Sequence, residues 1–431
     1  MYLVYDIGIR LALVAGVPYF LLRGLREPGF LRGWRERLGR LPADANPFQL
    51  TGIWIQAVSV GEVMLAGTLV GAIRARTHDV RIYVSSTTAT GRATAERTLA
   101  GTSEARLYFP LDLGSAVGRT LDHLRPALFI ALETEIWPNL LRALGRRGIP
   151  AVVVNGRISP RAFRRYRRAR FFFRRVLRHL DLAMMQTGED AARMRELGMP
   201  PERIVVTGNL KFDAPAPTSD PLPLAAELGL RPGETVCVAG STVEGEEAAV
   251  LDAFGQAAGR LPGALLILAP RHPQRFDAVA SLLEARGERF VRRSELPARS
   301  GVERRVILLD SLGELAALYG LATVVFVGGS LVPAGGHNIL EPAVHGRPVI
   351  FGPFMDNFRE VADRMTAGGG GFQVADTTAL AEAMVRLGND AELRSAAGRA
   401  AREVVEANRG ALERTLEHLA PYLRRFGPVS C

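Results

Sequence analysis

The chain has 431 residues, 48% hydrophobic and 23% charged, which excludes a disordered chain and exceeds what one core comfortably holds. Its two cysteines, Cys237 in an apolar run and Cys431 at the terminus, give no disulfide framework and no metal spacing, and fit a reducing, cytoplasmic setting. The net charge of +10 is unevenly spread: up to Phe212 there are 32 basic and 17 acidic side chains, and from Asp213 onward 22 and 27. The first half is therefore the half expected to meet an anionic partner.

In chain order, the first feature is the uncharged run Leu11–Leu22, LALVAGVPYFLL. It falls short of the ~20 residues that span a bilayer. No basic segment precedes it and no small-residue cleavage site follows, which argues against a cleaved signal peptide. Arg23, Arg26, Arg32, Arg35, Arg37 and Arg40 come next, opposed only by Glu27 and Glu36. An apolar segment flanked by arginines suits a helix lying on an anionic membrane surface, so residues 1–40 are read as a membrane-associated segment.

Apolar, β-branched runs then alternate with helical patterns. Strands are expected near Ile53–Val58, Val80–Ser85, Arg106–Phe109, Ala127–Leu132, Ala151–Asn155, Leu182–Gln186 and Ile204–Thr207. Asp213–Leu224, DAPAPTSDPLPL, has four prolines and no periodicity and reads as a linker. A second series follows near Thr235–Ala239, Leu265–Leu268, Val306–Leu309, Thr323–Val327, Val349–Phe351 and Phe372–Val374, with helices from about Thr378. The fold class is α/β: two Rossmann-like domains, 41–212 and 225–431, with room for the last helices to pack back on the first. Ligands are expected at the carboxyl ends of the parallel strands, facing a central cleft.

Several strand ends carry chemistry. Ser59, Gly61 and Glu62 sit where the first strand turns into a helix, where the helix dipole favours an ionised carboxylate able to act as a base. Glu133 and Glu135 follow the strand ending at Leu132, beside Trp137. If that strand continued, alternation would turn both to one face, where they raise one another's pKa or hold a hydroxyl-bearing ligand. Arg161–Arg178 holds nine arginines interleaved with Phe163, Tyr166 and Phe171–Phe173. Anionic lipid head groups fit it better than nucleic acid, given the apolar amino terminus in the same half. Lys211 is the only lysine among 54 basic residues, an ammonium kept where every other cation is a guanidinium.

In the second half, Gly240, Ser241 and Thr242 precede the acids Glu244–Glu247, and Arg271, His272 and Arg275 follow another strand. Arg271 is placed to fork onto a phosphate. The segment Gly328–Pro342, GGSLVPAGGHNILEP, links a strand to a helix start at Ile339–Val344. Its four glycines, with Asn338 as a cap and Glu341 one turn in, read as a nucleotide seat whose backbone N–H groups face an anion while Glu341 accepts ribose hydroxyls. His272 and His337 have no carboxylate or cysteine spacing for a metal and read as capping or packing groups.

Six segments occur in order: SVGE (Ser59–Glu62), ETEIWPN (Glu133–Asn139), GNLKFD (Gly208–Asp213), GSTVEGEE (Gly240–Glu247), PRHPQRF (Pro270–Phe276) and GGHNILEP (Gly335–Pro342). Together they closely resemble the 3-deoxy-D-manno-octulosonic acid (Kdo) transferases of lipopolysaccharide assembly. The resemblance implies a GT-B glycosyltransferase at the cytoplasmic face of the inner membrane. Such an enzyme moves Kdo from CMP-Kdo to a lipid A precursor with inversion and without a metal or other cofactor. It also implies Glu62 as the base and Glu133 and Lys211 as transition-state stabilisers. Pro270 and Arg271, Leu312, Gly313 and Glu314, and Gly336 with Asn338, Ile339, Leu340 and Glu341 become donor contacts. Ser59, Gly61, Arg161, Arg164, Arg165 and Arg168 are expected to meet the acceptor or anionic lipid, and no nucleic-acid partner is expected. Two departures stand out: Val243, where such relatives commonly carry histidine, and Gly156, where alanine is usual. Two other readings remain open, a different GT-B enzyme (a UDP-sugar transferase on a lipid carrier or a nucleotide-sugar epimerase) and a non-catalytic scaffold for membrane or nucleic acid.

Overall fold

The computed structural model describes residues 2–26, 33–77, 80–213, 222–296 and 304–427. The chain forms two compact units, Met1–Ala214 with Arg409–Cys431, and Pro215–Asn408.

The first unit is built on seven parallel strands: β1 (Gly52–Gln56), β2 (Arg81–Ser86), β3 (Ala105–Tyr108), β4 (Pro126–Leu132), β5 (Ala151–Gly156), β6 (Leu182–Met185) and β7 (Ile204–Val206). Their order is β3-β2-β1-β4-β5-β6-β7. Alternate residues divide between two apolar layers. Trp54, Phe129 and Val153 enter one core, while Ile53, Ile55, Leu128, Ile130 and Val152 enter the other. Continuous apolar strands are what a parallel sheet buried on both faces requires. The helix Ala411–Leu423 closes the second layer with Leu416, Leu419 and Leu423. Asp213 fixes its start by accepting the Gly410 and Leu412 N–H groups, each at 2.6 Å.

The helix Tyr2–Arg26 runs through the apolar segment. Tyr2 and Tyr5 stack on Phe172 at 5.6 and 5.7 Å. The Tyr5 hydroxyl donates to Asp112 at 2.9 Å, and Asn139 donates to Asp6 at 2.5 Å. On this helix Leu3, Val4, Ile7, Leu11 and Val14 are exposed, an i, i+4, i+7 spacing that gathers them on one face. No helix among the described residues is long and apolar enough to cross a membrane. Of the arginines that follow, Arg32 lies outside the described residues. Arg37 is not free for lipid: it donates to the Thr87 carbonyl at 2.7 Å and lies 4.4 Å over the Tyr108 ring.

The second unit repeats the plan with β8 (Val236–Thr242), β9 (Leu265–Pro270), β10 (Phe290–Arg292), β11 (Val306–Leu308), β12 (Val324–Val327), β13 (Val349–Phe351) and β14 (Gly371–Gln373). The order is β10-β11-β9-β8-β12-β13-β14. Phe254, Phe326, Leu266, Leu268 and Met384 fill one of its cores. Both sheets contain the six-strand order 3-2-1-4-5-6, whose switch point lies between its first and fourth strands. These are β1 and β4 in one unit, β8 and β12 in the other. Strand β10 is an edge strand that the sequence pattern did not predict. Most of the expected linker, 214–221, lies outside the described residues, and the helix Leu222–Glu227 begins inside its remainder.

Candidate active site

In the first unit the switch point is lined with acids. Val60–Arg76 starts directly after β1, and Glu62 in its first turn is 8% exposed. Its carboxylate accepts the Val58 N–H at 2.8 Å and the Ser59 hydroxyl at 3.0 Å, the reach-back of a capping residue. Gly61 is exposed beside it. The expectation that the helix start keeps Glu62 ionised is overturned, because burial, reinforced by the charge of Glu133, pushes its carboxyl up to about 7.

β4 ends at Leu132, so alternation does not continue into the acids. Glu133 turns out of the strand at φ 54, while its N–H still reaches the Val154 carbonyl at 2.9 Å. A left-handed glutamate costs roughly 1 kcal/mol, which the ladder bond helps to hold. Burial, then the charge of Glu62, also raises Glu135 to about 7. Lys211 brings its ammonium to 3.8 Å from Glu133. Its segment is fixed by the buried Asn155, whose side chain accepts the Leu210 N–H at 3.0 Å. The rim thus gathers Glu62, Glu133, Glu135 and Lys211, from three separate stretches of sequence, each following a strand end. Glu135 was no more than one of a pair in the sequence, and its burial gives it a weight that spacing did not.

The second unit's switch point differs. The first part of the expected cradle of N–H groups is occupied from within: fully buried Glu246 accepts from Gly329 at 2.6 Å, Ser330 at 2.8 Å, Leu331 at 2.7 Å and Val243 at 3.1 Å. Gly336 donates to the Gly329 carbonyl at 2.7 Å. The glycines serve close packing. A Cβ on Gly335 (φ +91) would lie 2.5 Å from Asn357, and one on Gly336 (φ +76) 2.5 Å from Met355. His337 packs over Gly329 and donates to the Gly328 carbonyl at 2.9 Å, a structural role.

Two charged groups, Glu341 and Arg271, interact electrostatically at this rim. Asn338 accepts the Leu340 N–H at 3.1 Å and donates to Glu341 at 3.2 Å. Ile339 and Leu340 are buried beneath. The helix they open, Leu340–Val344, has five residues, so its dipole is small. Burial raises the Glu341 carboxyl, against the pull of Asn338 and Arg271. Arg271 follows Pro270, the last residue of β9, and its side chain is exposed. Tyr319, missed in the sequence, is buried with its hydroxyl 2.0 Å from where a Gly240 Cβ would stand, and it feels the charges of Glu341 and Arg271. Arg275, by contrast, is committed to buried Glu247 at 3.1 and 3.2 Å. Glu314 pairs with Arg293 at 2.7 Å at the start of Leu315–Leu321, after exposed Leu312 and Gly313 (φ +93).

Arg161, Arg164, Arg165 and Arg168 lie on the helix Pro160–Arg168 and, with Ser159 and Ala162, line a hollow of about 470 Å³. Among the described residues, no group of three or more His, Cys, Asp or Glu side chains is arranged to hold a metal ion.

Comparison with known proteins gives this geometry a context. The sequence profile of the family described as 3-deoxy-D-manno-octulosonic-acid transferase (kdotransferase) matches residues 32–214. The 3-deoxy-D-manno-octulosonic acid transferase of Haemophilus influenzae is 38% identical over 412 residues, 94% of each chain. That of Bordetella pertussis is 36% identical over 431 residues, 95% of this chain and 99% of the relative. Among solved structures, the UDP-GlcNAc 2-epimerase of Neisseria meningitidis superposes with a TM-score of 0.57 at 13% identity, over 86% of this chain and 100% of that one. This likeness shows the GT-B-type fold alone. With identity of that order across nearly its whole length, the chain belongs to the 3-deoxy-D-manno-octulosonic acid transferase family.

Proposed function

We propose that the protein transfers Kdo from CMP-Kdo to a hydroxyl of a lipid A precursor, with inversion and without a metal ion. The observation that carries this reading is Glu62, a buried carboxylate raised to about 7 at the switch point of the first unit. That value is matched to removing a hydroxyl proton near neutrality. In the proposed step Glu62 takes the proton as the acceptor oxygen bonds to the anomeric carbon. The bond from that carbon to the CMP phosphate oxygen breaks, and CMP departs with the electron pair. Arg271 and Lys211 offset the negative charge growing on the phosphate. Glu341, held by Asn338 at 3.2 Å, accepts ribose hydroxyls. Glu133 keeps Glu62 basic and holds Lys211, which lies 3.8 Å away.

The exposed apolar face of Tyr2–Arg26 supports peripheral contact with an anionic cytoplasmic leaflet, since the first half of the chain carries the excess of arginine. The decisive experiment incubates wild type and Glu62→Gln with CMP-Kdo and a lipid A precursor and weighs the product by mass spectrometry. The wild type adds Kdo. The variant folds, is stabilised by CMP as the wild type is, and loses turnover by about 10²-fold or more. Near-full turnover in the variant removes Glu62 as the base. Thermal stabilisation by UDP in place of CMP favours a UDP-sugar enzyme.

A further inference from the structure

The segment that carries Glu133 and Glu135 is held at both ends, and its far end borrows its hold from distant parts of the chain. It spans the five residues between β4, which ends at Leu132, and the helix Pro138–Arg146. The near end is tied to β5 by the Glu133 N–H and by Thr134, which exchanges hydrogen bonds with the Arg157 backbone. At the far end the N-cap residue is Trp137, whose side chain caps nothing. Elsewhere in this unit Thr88, Ser159 and Thr187 cap their own helices with a hydroxyl. Here the cap comes from Asp112, 27 residues away from Asn139 and 1% exposed. Its two carboxylate oxygens accept the Asn139 and Leu140 N–H groups at 2.9 and 2.8 Å. These are the first donors to satisfy in a helix that opens on proline. Phe109, on the same loop as Asp112, adds a second hold by packing 5.2 Å from the Trp137 ring.

Asp112 does not act alone. The oxygen that takes the Asn139 N–H also accepts the Tyr5 hydroxyl at 2.9 Å. The Asn139 amide donates to the Asp112 carbonyl at 2.7 Å and to Asp6 at 2.5 Å. Tyr5 and Asp6 lie on the helix Tyr2–Arg26. A helix that only attaches the chain to a surface needs its exposed apolar face; it has no need to place a hydroxyl and a carboxylate on the buried cap of another helix. Burial raises the Asp112 carboxyl against the pull of Asn139, Leu140 and Tyr5, so a charge kept here carries a desolvation cost that a hydroxyl cap at position 137 would avoid. The cap fixes where the chain leaves Trp137, and so where Glu133 and Glu135 stand relative to Glu62. Glu133 sits left-handed at φ 54, a conformation that persists only where the surroundings hold it.

We infer that Asp112 is a positioning residue for Glu133 and Glu135, and that Tyr5 and Asp6 make the helix Tyr2–Arg26 a working part of this support. That the acids serve Kdo transfer rests on the reading proposed above.

The test separates positioning from attachment and from folding. Tyr5→Phe combined with Asp6→Ala removes the outer half of the network and keeps the ring that stacks on Phe172. On a detergent-dispersed lipid A precursor, where attachment to a bilayer plays no part, this variant should lower kcat about 5-fold or more. Its KM for CMP-Kdo should stay within about 2-fold of the wild type. Asp112→Asn, which keeps the shape but turns a donor toward the helix, should lower kcat at least as far. Asp376→Ala, which removes the side-chain cap of Thr377–Asn389 in the second unit, should lower the melting temperature and leave kcat unchanged. An unchanged kcat in the Tyr5/Asp6 variant overturns the inference. So does an equal loss of kcat in Asp376→Ala, which marks a general effect of stability. Hydrogen exchange decides the point without turnover: in the Tyr5/Asp6 variant the amides of residues 133–140 should exchange about 10-fold faster than in the wild type. Equal protection overturns the proposal. Faster exchange in the variant, with a wild type that transfers no Kdo, defeats the transfer reading while leaving the positioning role supported.

Discussion

Glu62 and Glu246 occupy corresponding places in the two units. Each follows the first strand of its switch point, each stands at the start of a helix, and each is buried. Their surroundings differ. Glu246 accepts four backbone N–H groups, three of them from the loop after β12. Its oxygens are saturated, and it holds that loop as a bound anion would. Glu62 accepts only from its own turn and faces the carboxylate of Glu133. One acid is spent on shape. The other is left with a proton affinity near neutrality, because burial and like charge outweigh its donors. Position in a repeated fold therefore does not settle what a carboxylate does; the count of donors around it does.

The largest effect expected from this contrast is on Glu246. Replacement by Ala leaves the N–H groups of Gly329, Ser330 and Leu331 without their acceptor. At about 1–3 kcal/mol for each buried orphan, the second unit should lose ~3 kcal/mol or more, read as a lower midpoint in urea unfolding, and CMP should no longer raise the melting temperature. Glu62→Gln should do the opposite, losing transfer while keeping the fold. A stable, CMP-binding Glu246→Ala protein would break the distinction between the two acids.

A smaller effect concerns pH, and here activity and stability run in opposite directions. The folded-state value of Glu62 is about 7 against an ordinary 4.5. The base is active only when ionised, so turnover should be lost as pH falls through about 7. The same raised value means that the folded protein holds the proton more tightly than the unfolded chain. Its stabilising contribution is fully present below the ordinary value and is lost as pH rises through about 7. From about pH 6 to about pH 8 the wild type should thus gain turnover while its melting temperature declines. Glu62→Gln should make this part of the melting profile shallower, leaving the share of Glu135, which burial also raises to about 7. Glu133→Gln removes the neighbouring charge and should move the acid limb of the rate profile to lower pH, whatever its cost in turnover. An unmoved limb would mean that burial alone sets the value.

Much of this was legible in the sequence, and the failures have physical causes. Thirteen apolar runs became strands because a sheet buried on both faces writes itself as continuous β-branched sequence. Phe290–Arg292 escaped because an edge strand of three residues, closed by an arginine, carries no such run. Glu62 and Glu133 stood out because each follows a strand end, where parallel sheets gather ligands, and Lys211 because it is the only lysine among 54 basic residues. The plug formed by Glu246 was hidden, since its partners in the loop lie 83 to 85 residues away and nothing in the glycine-rich sequence reveals that the N–H groups of Gly329, Ser330 and Leu331 are already taken. Glu314 was read as a ligand contact, and the structure engages it with Arg293 at 2.7 Å. Long-range pairing of this kind follows from the fold and not from local spacing.

The smallest effect sharpens the same contrast. Val243 stands in the GSTVEGEE turn where the sequence resemblance leads one to expect histidine. What the turn uses at this position is the backbone: the Val243 N–H donates to Glu246 at 3.1 Å, and any residue but proline supplies that donor. The side chain is only half-buried, so Val243→His needs no collapse of a core and should change stability by no more than about 0.5 kcal/mol. If Arg271 supplies the main positive charge for the donor phosphate, an added imidazole beside the turn should change the KM for CMP-Kdo by less than about 3-fold, whereas Arg271→Gln should raise it by about 10-fold or more. A large gain in turnover from Val243→His would reverse this ranking. It would mean that the second unit, like the first, has a reactive side chain to place at its switch point, and that this chain performs the same step without one.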